Sequence, residues 1–147
     1  VRVNKSIMSC IREHIRDQCP LLKDWEGLFP SVGIDAMEEE PASYMIEKTP
    51  AEPVLKRYTD GSTVRQEVFT FASREFAEGE AGDIHAFYDA FALWLPKSVE
   101  ALQLPDGCYP RRFVVTTGGY IYDEEGTKAQ YQIQCRLEYY DERSKRT

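Results

Sequence analysis

The segment 129–140, AQYQIQCRLEYY, alternates between apolar and polar positions. Ala129, Tyr131, Ile133, Cys135, Leu137 and Tyr139 fall on one side. Gln130, Gln132, Gln134, Arg136 and Glu138 fall on the other, and Tyr140 ends the row. A period of two is that of a β-strand with one buried face. Residues 63–74, TVRQEVFTFASR, form a second long strand. Phe69 and Phe71 share a face with Arg65, Glu67 and Ser73; Val64, Val68, Thr70 and Ala72 take the other. Apolar groups on both faces of its second half predict a central strand, covered there on both sides.

Shorter strands are expected over 43–49, 54–58, 111–117 and 120–122. Pro50 and Pro53 exclude a central strand between the first two. A short extended piece is placed near Val32–Ile34. The tetrad Thr59-Asp60-Gly61-Ser62 reads as a tight turn, with Asp-Gly supplying the positive φ that a hairpin needs. A second turn is placed over Asp123–Thr127.

Two stretches change to a period near 3.6. Residues 4–18 carry Ile7, Cys10, Ile11, His14 and Ile15 on one helical stripe, with Asn4 or Ser6 as cap and Pro20 beyond the end. Residues 84–95 carry Ile84, Phe87, Tyr88, Phe91, Trp94 and Leu95, with Asp83 as the expected N-cap. Pro96 ends this helix or opens a further turn. The order is α, β, β, β, α, β, β, β. Tight turns between successive strands predict an α+β fold: a mainly antiparallel sheet with the N-terminal and central helices packed on one face. The apolar row Tyr131, Ile133, Cys135 and Leu137 is the expected floor under the Phe87–Leu95 helix.

Length and composition fit this picture. A chain of 147 residues with 42% hydrophobic and 12% aromatic residues is one globular domain, with 141–147 read as a flexible tail. A domain of this size buries roughly 70% of its unfolded surface and needs no disulfide. Cys10, Cys19, Cys108 and Cys135 show no CxxC pairing and are read as reduced thiols of a cytoplasmic protein. No apolar run is long enough for a membrane span, and the opening residues lead into an amphipathic helix rather than a signal segment. The formal net charge of −7 argues against a broad nucleic-acid-binding surface.

The search for chemistry returns little. No GxGxxG, P-loop, GxSxG or HExxH pattern occurs. Gly118-Gly119 lacks the following helix that a phosphate cradle needs and reads as a turn or bulge. Cys10, His14 and Cys19 are the nearest approach to a metal site. Cys10 and His14 share the apolar stripe, and a structural zinc wants four ligands, so core packing is the better reading. His85 is read as a surface residue, Glu38-Glu39-Glu40 as a solvated loop, and Arg111-Arg112 as a solvated strand end. No catalytic residue, metal or cofactor is expected, and the weight moves to an assembly role.

Several segments, in order, resemble one family. These are IREHIRDQCPLLKD (11–24), SYMIEKTPAEP (43–53), VLKRYTDGSTVRQEVFTFASREF (54–76), the helix type FYDAFALWL with a Pro-Asp-Gly loop, and TTGGYIYDEEGTKAQYQIQCRLEYYD (116–141). They resemble the minor capsid or tail-completion proteins of long-tailed phages and prophages, which are similar to tail terminators. The resemblance implies a small α+β protein that forms a homo-oligomeric, hexameric ring on the tail tube. Such a ring stops tube polymerisation and presents a surface to the head-tail connector. It implies a place at the head-tail junction of the virion, after assembly in the host cytoplasm. DNA would pass through without specific binding, and an acidic lumen would not retain it. The alternatives are a head-completion or stopper protein of the same region, or a small-molecule-binding α+β domain of the host.

The residues expected at subunit contacts are Gln130, Gln132, Gln134 and Arg136, with the hairpin tip Thr59, Asp60, Gly61, Ser62 and Arg65. Glutamine both donates and accepts across an interface without burying a charge.

Overall fold

The computed structural model describes residues 5–22, 32–34, 43–76, 81–117, 120–125 and 128–145. Its elements in chain order are α1 (Ile7–Gln18), β1 (Val32–Ile34), β2 (Ser43–Lys48), β3 (Val54–Arg57), β4 (Thr63–Phe76), α2 (Ala81–Lys97), β5 (Cys108–Val115), β6 (Tyr120–Glu125) and β7 (Lys128–Asp141). The described strands form one seven-stranded sheet. With two helices and an almost wholly antiparallel sheet, the protein is α+β.

The two long strands carry the architecture. β4 and β7 pair antiparallel over their full length, from Thr63 opposite Asp141 to Phe76 opposite Lys128. The outer edge of β4 is shared end to end by β3 and β2. The outer edge of β7 is shared in the same way by β5 and β6. β1 extends the sheet beyond β2 as its parallel neighbour. Residues opposite each other in an antiparallel pair share a face, so the register sorts every side chain. Phe69, Phe71 and Ser73 stand with Ile133, Cys135 and Leu137. Tyr44 and Ile46 of β2 and Phe113 of β5 join them.

Both helices pack on that face. Ile7, Met8, Cys10, Ile11 and Ile15 of α1 and Tyr88, Phe91 and Leu95 of α2 belong to one buried cluster with the sheet residues just named. Aromatic rings fill its centre. Phe71 and Phe91 stack with centroids 4.5 Å apart, and Phe69 meets Phe113 edge-on. The expected floor holds for Ile133, Cys135 and Leu137, all fully buried; the side chain of Tyr131 lies outside the described residues. A buried hydrogen bond of 2.7 Å between Ser73 Oγ and the Tyr88 hydroxyl ties β4 to α2.

The structure corrects several expected boundaries. α1 starts at Ile7 rather than at residue 4, and Ser6, one of the two expected caps, closes it: its Oγ accepts from Ser9 N at 3.0 Å. α2 begins at Ala81, so Asp83 lies within the helix and is not its N-cap. Pro96 sits in the last turn, and the chain then tightens into a 3₁₀ turn over Ser98–Ala101. β5 starts at Cys108, three residues before the strand expected from 111. Pro110 is tolerated there because β5 is an edge strand and a bulge follows at Pro110–Arg112. β6 runs to Glu125, past the expected turn at Asp123. Asp141 is not part of a loose tail; it ends β7, paired with Thr63 and Cys108, and is 4% exposed.

Coverage of β4 is also asymmetric. The helices lie only on the Phe69–Phe71 side. On the other side Thr70 and Ala72 are buried as short side chains between neighbouring strands. Ala72 stands between Met45 and Gln132 in register, and Thr70 between Glu47 and Gln134.

Candidate functional site

The sheet face turned away from the helices carries a polar surface laid out in register. Across β4 and β7 its rows read Ala72–Gln132, Thr70–Gln134, Val68–Arg136, Gln66–Glu138 and Val64–Tyr140. Gln132, Gln134 and Arg136 are half-buried. Strand alternation puts them there, since the opposite parity of β7 is committed to the core.

Glu138 is the hub of this face. It accepts from Arg112 Nη2 at 2.9 Å and from Arg136 Nε and Nη2 at 3.1 and 3.0 Å. The hydrogen bond from Arg112, opposed by burial and reinforced by Arg136, holds the Glu138 carboxyl below its usual value. The same bond raises the Arg112 guanidinium. One carboxylate with three charge-assisted bonds fixes both arginines, although their exposure limits the energy involved. Arg136, expected to reach for a neighbouring subunit, is therefore already engaged within its own sheet. Arg112 is likewise paired and is not a bare solvated strand end.

Beyond this network lies a row of tyrosines. Tyr140 meets Tyr58 at 6.3 Å and Tyr109 at 6.2 Å between centroids. Lys56 stands over the Tyr58 ring at 5.0 Å, and the Tyr109 hydroxyl donates to Glu142 at 3.0 Å. Tyr58 and Tyr109 are exposed, as is nearby Leu55. At the other end Thr116 and Thr117 clip onto β7. Thr116 N and Oγ1 donate to the Gln134 carbonyl, and Gln134 N donates to Thr117 Oγ1.

The hairpin tip is built as the sequence predicted. Gly61 takes a φ of 92°, and its N–H donates to the Tyr58 carbonyl at 3.0 Å. Asp60 Oδ1 accepts from Ser62 N at 3.0 Å and from Ser62 Oγ at 2.6 Å, which closes the turn. These bonds, led by that from the Ser62 hydroxyl, lower the Asp60 carboxyl. Thr59 is exposed, whereas Ser62 is buried and occupied by Asp60.

The residues expected at subunit contacts do not form one patch. The tip adjoins Thr63, while the glutamines pair with positions 70–74. Seven to eleven residues along β4 separate them, about 23–36 Å. Arg65 pairs with Tyr139 and lies on the helix side of the sheet, opposite to the glutamines. Gln130 holds its register opposite Arg74, but its side chain lies outside the described residues. Glu38–Glu40 and Gly118–Gly119 lie outside them altogether, and so does the side chain of His85. Sequence reasoning missed the Glu138 hub and the tyrosine row. Both depend on the pairing of β5 with β7; a same-face Arg112 and Glu138 becomes visible only in that register.

The buried groups are chemically quiet. His14 Nε2 lies 2.8 Å from Ser98 Oγ, which itself donates to the Leu95 carbonyl; the imidazole is therefore the donor. The ring stacks between Trp94 and Phe113, and burial lowers its pKa to about 4. All four cysteines are buried thiols. Burial, aided by Asp141, pushes Cys108 up to about 11, and burial pushes Cys135 higher still. Neither offers a thiolate near neutral pH. Among the described residues no group of three or more His, Cys, Asp or Glu side chains could hold a metal ion. Also among them, no helix is long and apolar enough to cross a membrane.

Comparison with models of known families and with curated protein sequences returned no match.

Proposed function

We propose that the chain is a structural phage protein of the tail-terminator type, acting by assembly on the completed tail tube. What supports the reading first is the ordered run of family-like segments that spans most of the sequence. The observation that carries it furthest is the division of the sheet: both helices cover one face, and the other presents half-buried glutamines, fixed arginines and exposed tyrosines. Tyrosine and arginine are enriched at protein contacts, and an amide that finds a hydrogen-bond partner is buried without the cost of a charge.

In this reading the protein assembles as a hexameric ring. A ring is built from heterologous contacts, in which one patch of a subunit meets a different patch of the next. The glutamine rows and the hairpin tip, at opposite ends of the sheet, suit that arrangement better than a self-complementary one. The net charge of −7 keeps the phosphate backbone from sticking as DNA passes. Tail tube and connector proteins bind the two sides of the ring.

Deletion of this protein from the phage that encodes it tests the proposal, with tails viewed by negative-stain electron microscopy. Tails that overrun their normal length, or that remain unjoined to filled heads, are expected. Tails of normal length joined to heads would overturn it.

A further inference from the structure

A cleft of about 510 Å³ opens on the helix side of the sheet, where the first turn of α1 stands over the Thr63–Asp141 end of the central strands. Ser6 and Ile7 border it from the helix; Arg65 and Tyr139, register partners on β4 and β7, border it from the sheet. The assembly reading makes no use of it.

Its charges pair off with one exception. Asp141 takes Arg143 bidentately at 3.0 and 2.9 Å. Glu67 faces Lys48 at 3.5 Å, and Lys5 is held by Glu13 at 2.7 Å. The Arg65 side chain has no ion pair or hydrogen bond among the described residues. Tyr139 is a second anomaly. It is 4% exposed, it lines the cleft, and its hydroxyl has no hydrogen-bond partner among the described residues. The hydroxyl is not sealed off: the buried side-chain atoms without a partner among the described residues are His14 Nδ1 and Thr63 Oγ1, so the phenol opens into the cleft. The helix end adds a third element. Ser6 Oγ and the Ser6 carbonyl occupy the N–H groups of Ser9 and Cys10. Those of Ile7 and Met8 have no partner within a helix and point out at its positive end.

We propose that this cleft seats the phosphate of a small phosphate-bearing molecule, held between the Arg65 guanidinium, the Tyr139 hydroxyl and the first N–H groups of α1. Donors on two layers, sheet below and helix end above, suit a tetrahedral oxyanion better than a planar carboxylate. Glu67 and Asp141 would repel an anion if bare, but each carries its own cation. The volume exceeds that of phosphate alone and falls in the usual range for organic ligands, with Ile7 and Pro53 as apolar walls for the remainder.

Calorimetric titration of the full chain with inorganic phosphate, phenyl phosphate and acetate tests this. Saturable one-site binding of phosphate is expected, tighter for phenyl phosphate and weaker for acetate. Arg65→Gln should weaken phosphate binding about tenfold and Tyr139→Phe about threefold, because each removes a donor to a charged group. Arg16→Gln, which alters a cation elsewhere on α1, should leave it unchanged. If Arg65→Gln fails to fold, Arg65→Lys takes its place and should still bind severalfold more weakly, since the ammonium lacks the planar fork. No saturable binding of phosphate, equal binding by the Arg65 variant, or acetate binding as tightly as phosphate would overturn the proposal.

Discussion

His14 shows what one buried polar side chain does to the pH response of this protein. It lies between the rings of Trp94 and Phe113, donates to Ser98, and has no partner for Nδ1 among the described residues. Burial lowers its pKa from 6.5 to about 4. Between these values the unfolded chain takes up a proton that the native ring refuses. Stability contributed by neutral His14 is therefore complete above pH 6.5 and is lost as pH falls toward 4; the full loss is roughly 3 kcal/mol. His14→Phe keeps a stacked ring and removes the titration. Urea unfolding above and within this window should show a smaller acid loss for the variant, and an equal loss in both proteins would refute the assignment. Asp141 has the same sign, in a more acid window. Burial raises its carboxyl, but the bonds from Arg143 outweigh burial and leave it below the ordinary 3.8. Its contribution is present above that value and disappears as pH falls through the lowered one. Asp141→Asn should destabilise the neutral protein by about 2 kcal/mol. The gap to wild type should close in acid, and a gap constant with pH would argue against the ion pair. Gly107 adds a geometric constraint on the same corner. Its φ is +89°, and a Cβ there would come within 2.8 Å of Arg143 Cγ.

At the scale of elements, a buried hydrogen bond inside the aromatic core ties α2 to the sheet. Tyr88→Phe removes the hydroxyl that meets Ser73 and leaves a buried Oγ without its partner. A loss of about 1–2 kcal/mol in chemical denaturation is expected, since an unsatisfied buried group carries its full desolvation penalty. A loss within error would mean that water replaces the hydroxyl. The elements themselves were largely legible in the sequence. The alternation of 129–140 and of 63–74 identified both central strands, because the pleat imposes a strict period of two. The buried parity was correct for 129–140, whereas apolar groups on both faces of 63–74 led to an expectation of cover on both sides that the helices give on one. Local punctuation misled at the boundaries. Asp83 has the chemistry of a cap, yet α2 starts two residues earlier. β5 starts three residues before the expected 111 and runs through Pro110, because an edge strand needs no N–H from it. The candidate contacts were legible only in part. Arg65 has the parity of Phe69 and Phe71, which already placed it away from the glutamines. The separation of hairpin tip and glutamines, and the Arg112–Glu138–Arg136 network, arise from strand register, which no local pattern encodes.

For the whole molecule the decisive asymmetry is the two-layer build: helices and aromatic core on one side of the sheet, amides and paired charges on the other. Glutamine rows on a plain solvent face would tolerate charge. Glutamine rows in a seam between subunits would not, because each new carboxylate would be desolvated against a neighbour without a counter-ion. Arg136 offers little relief, since Glu138 already occupies it. The chain also carries a net charge of −7, so added acid on a shared surface compounds repulsion between like subunits. The combined variant Gln130→Glu, Gln132→Glu, Gln134→Glu separates the two cases. Gln132 and Gln134 lie outside the buried cluster, so the isolated chain should melt within a few degrees of wild type. In the assembling phage the same variant should leave tails unterminated or unjoined to heads, as deletion does. A variant that melts normally and still yields complete particles would mean that this face meets only water, and the seam would then have to lie elsewhere, with the hairpin tip and the tyrosine row as the next surfaces to charge.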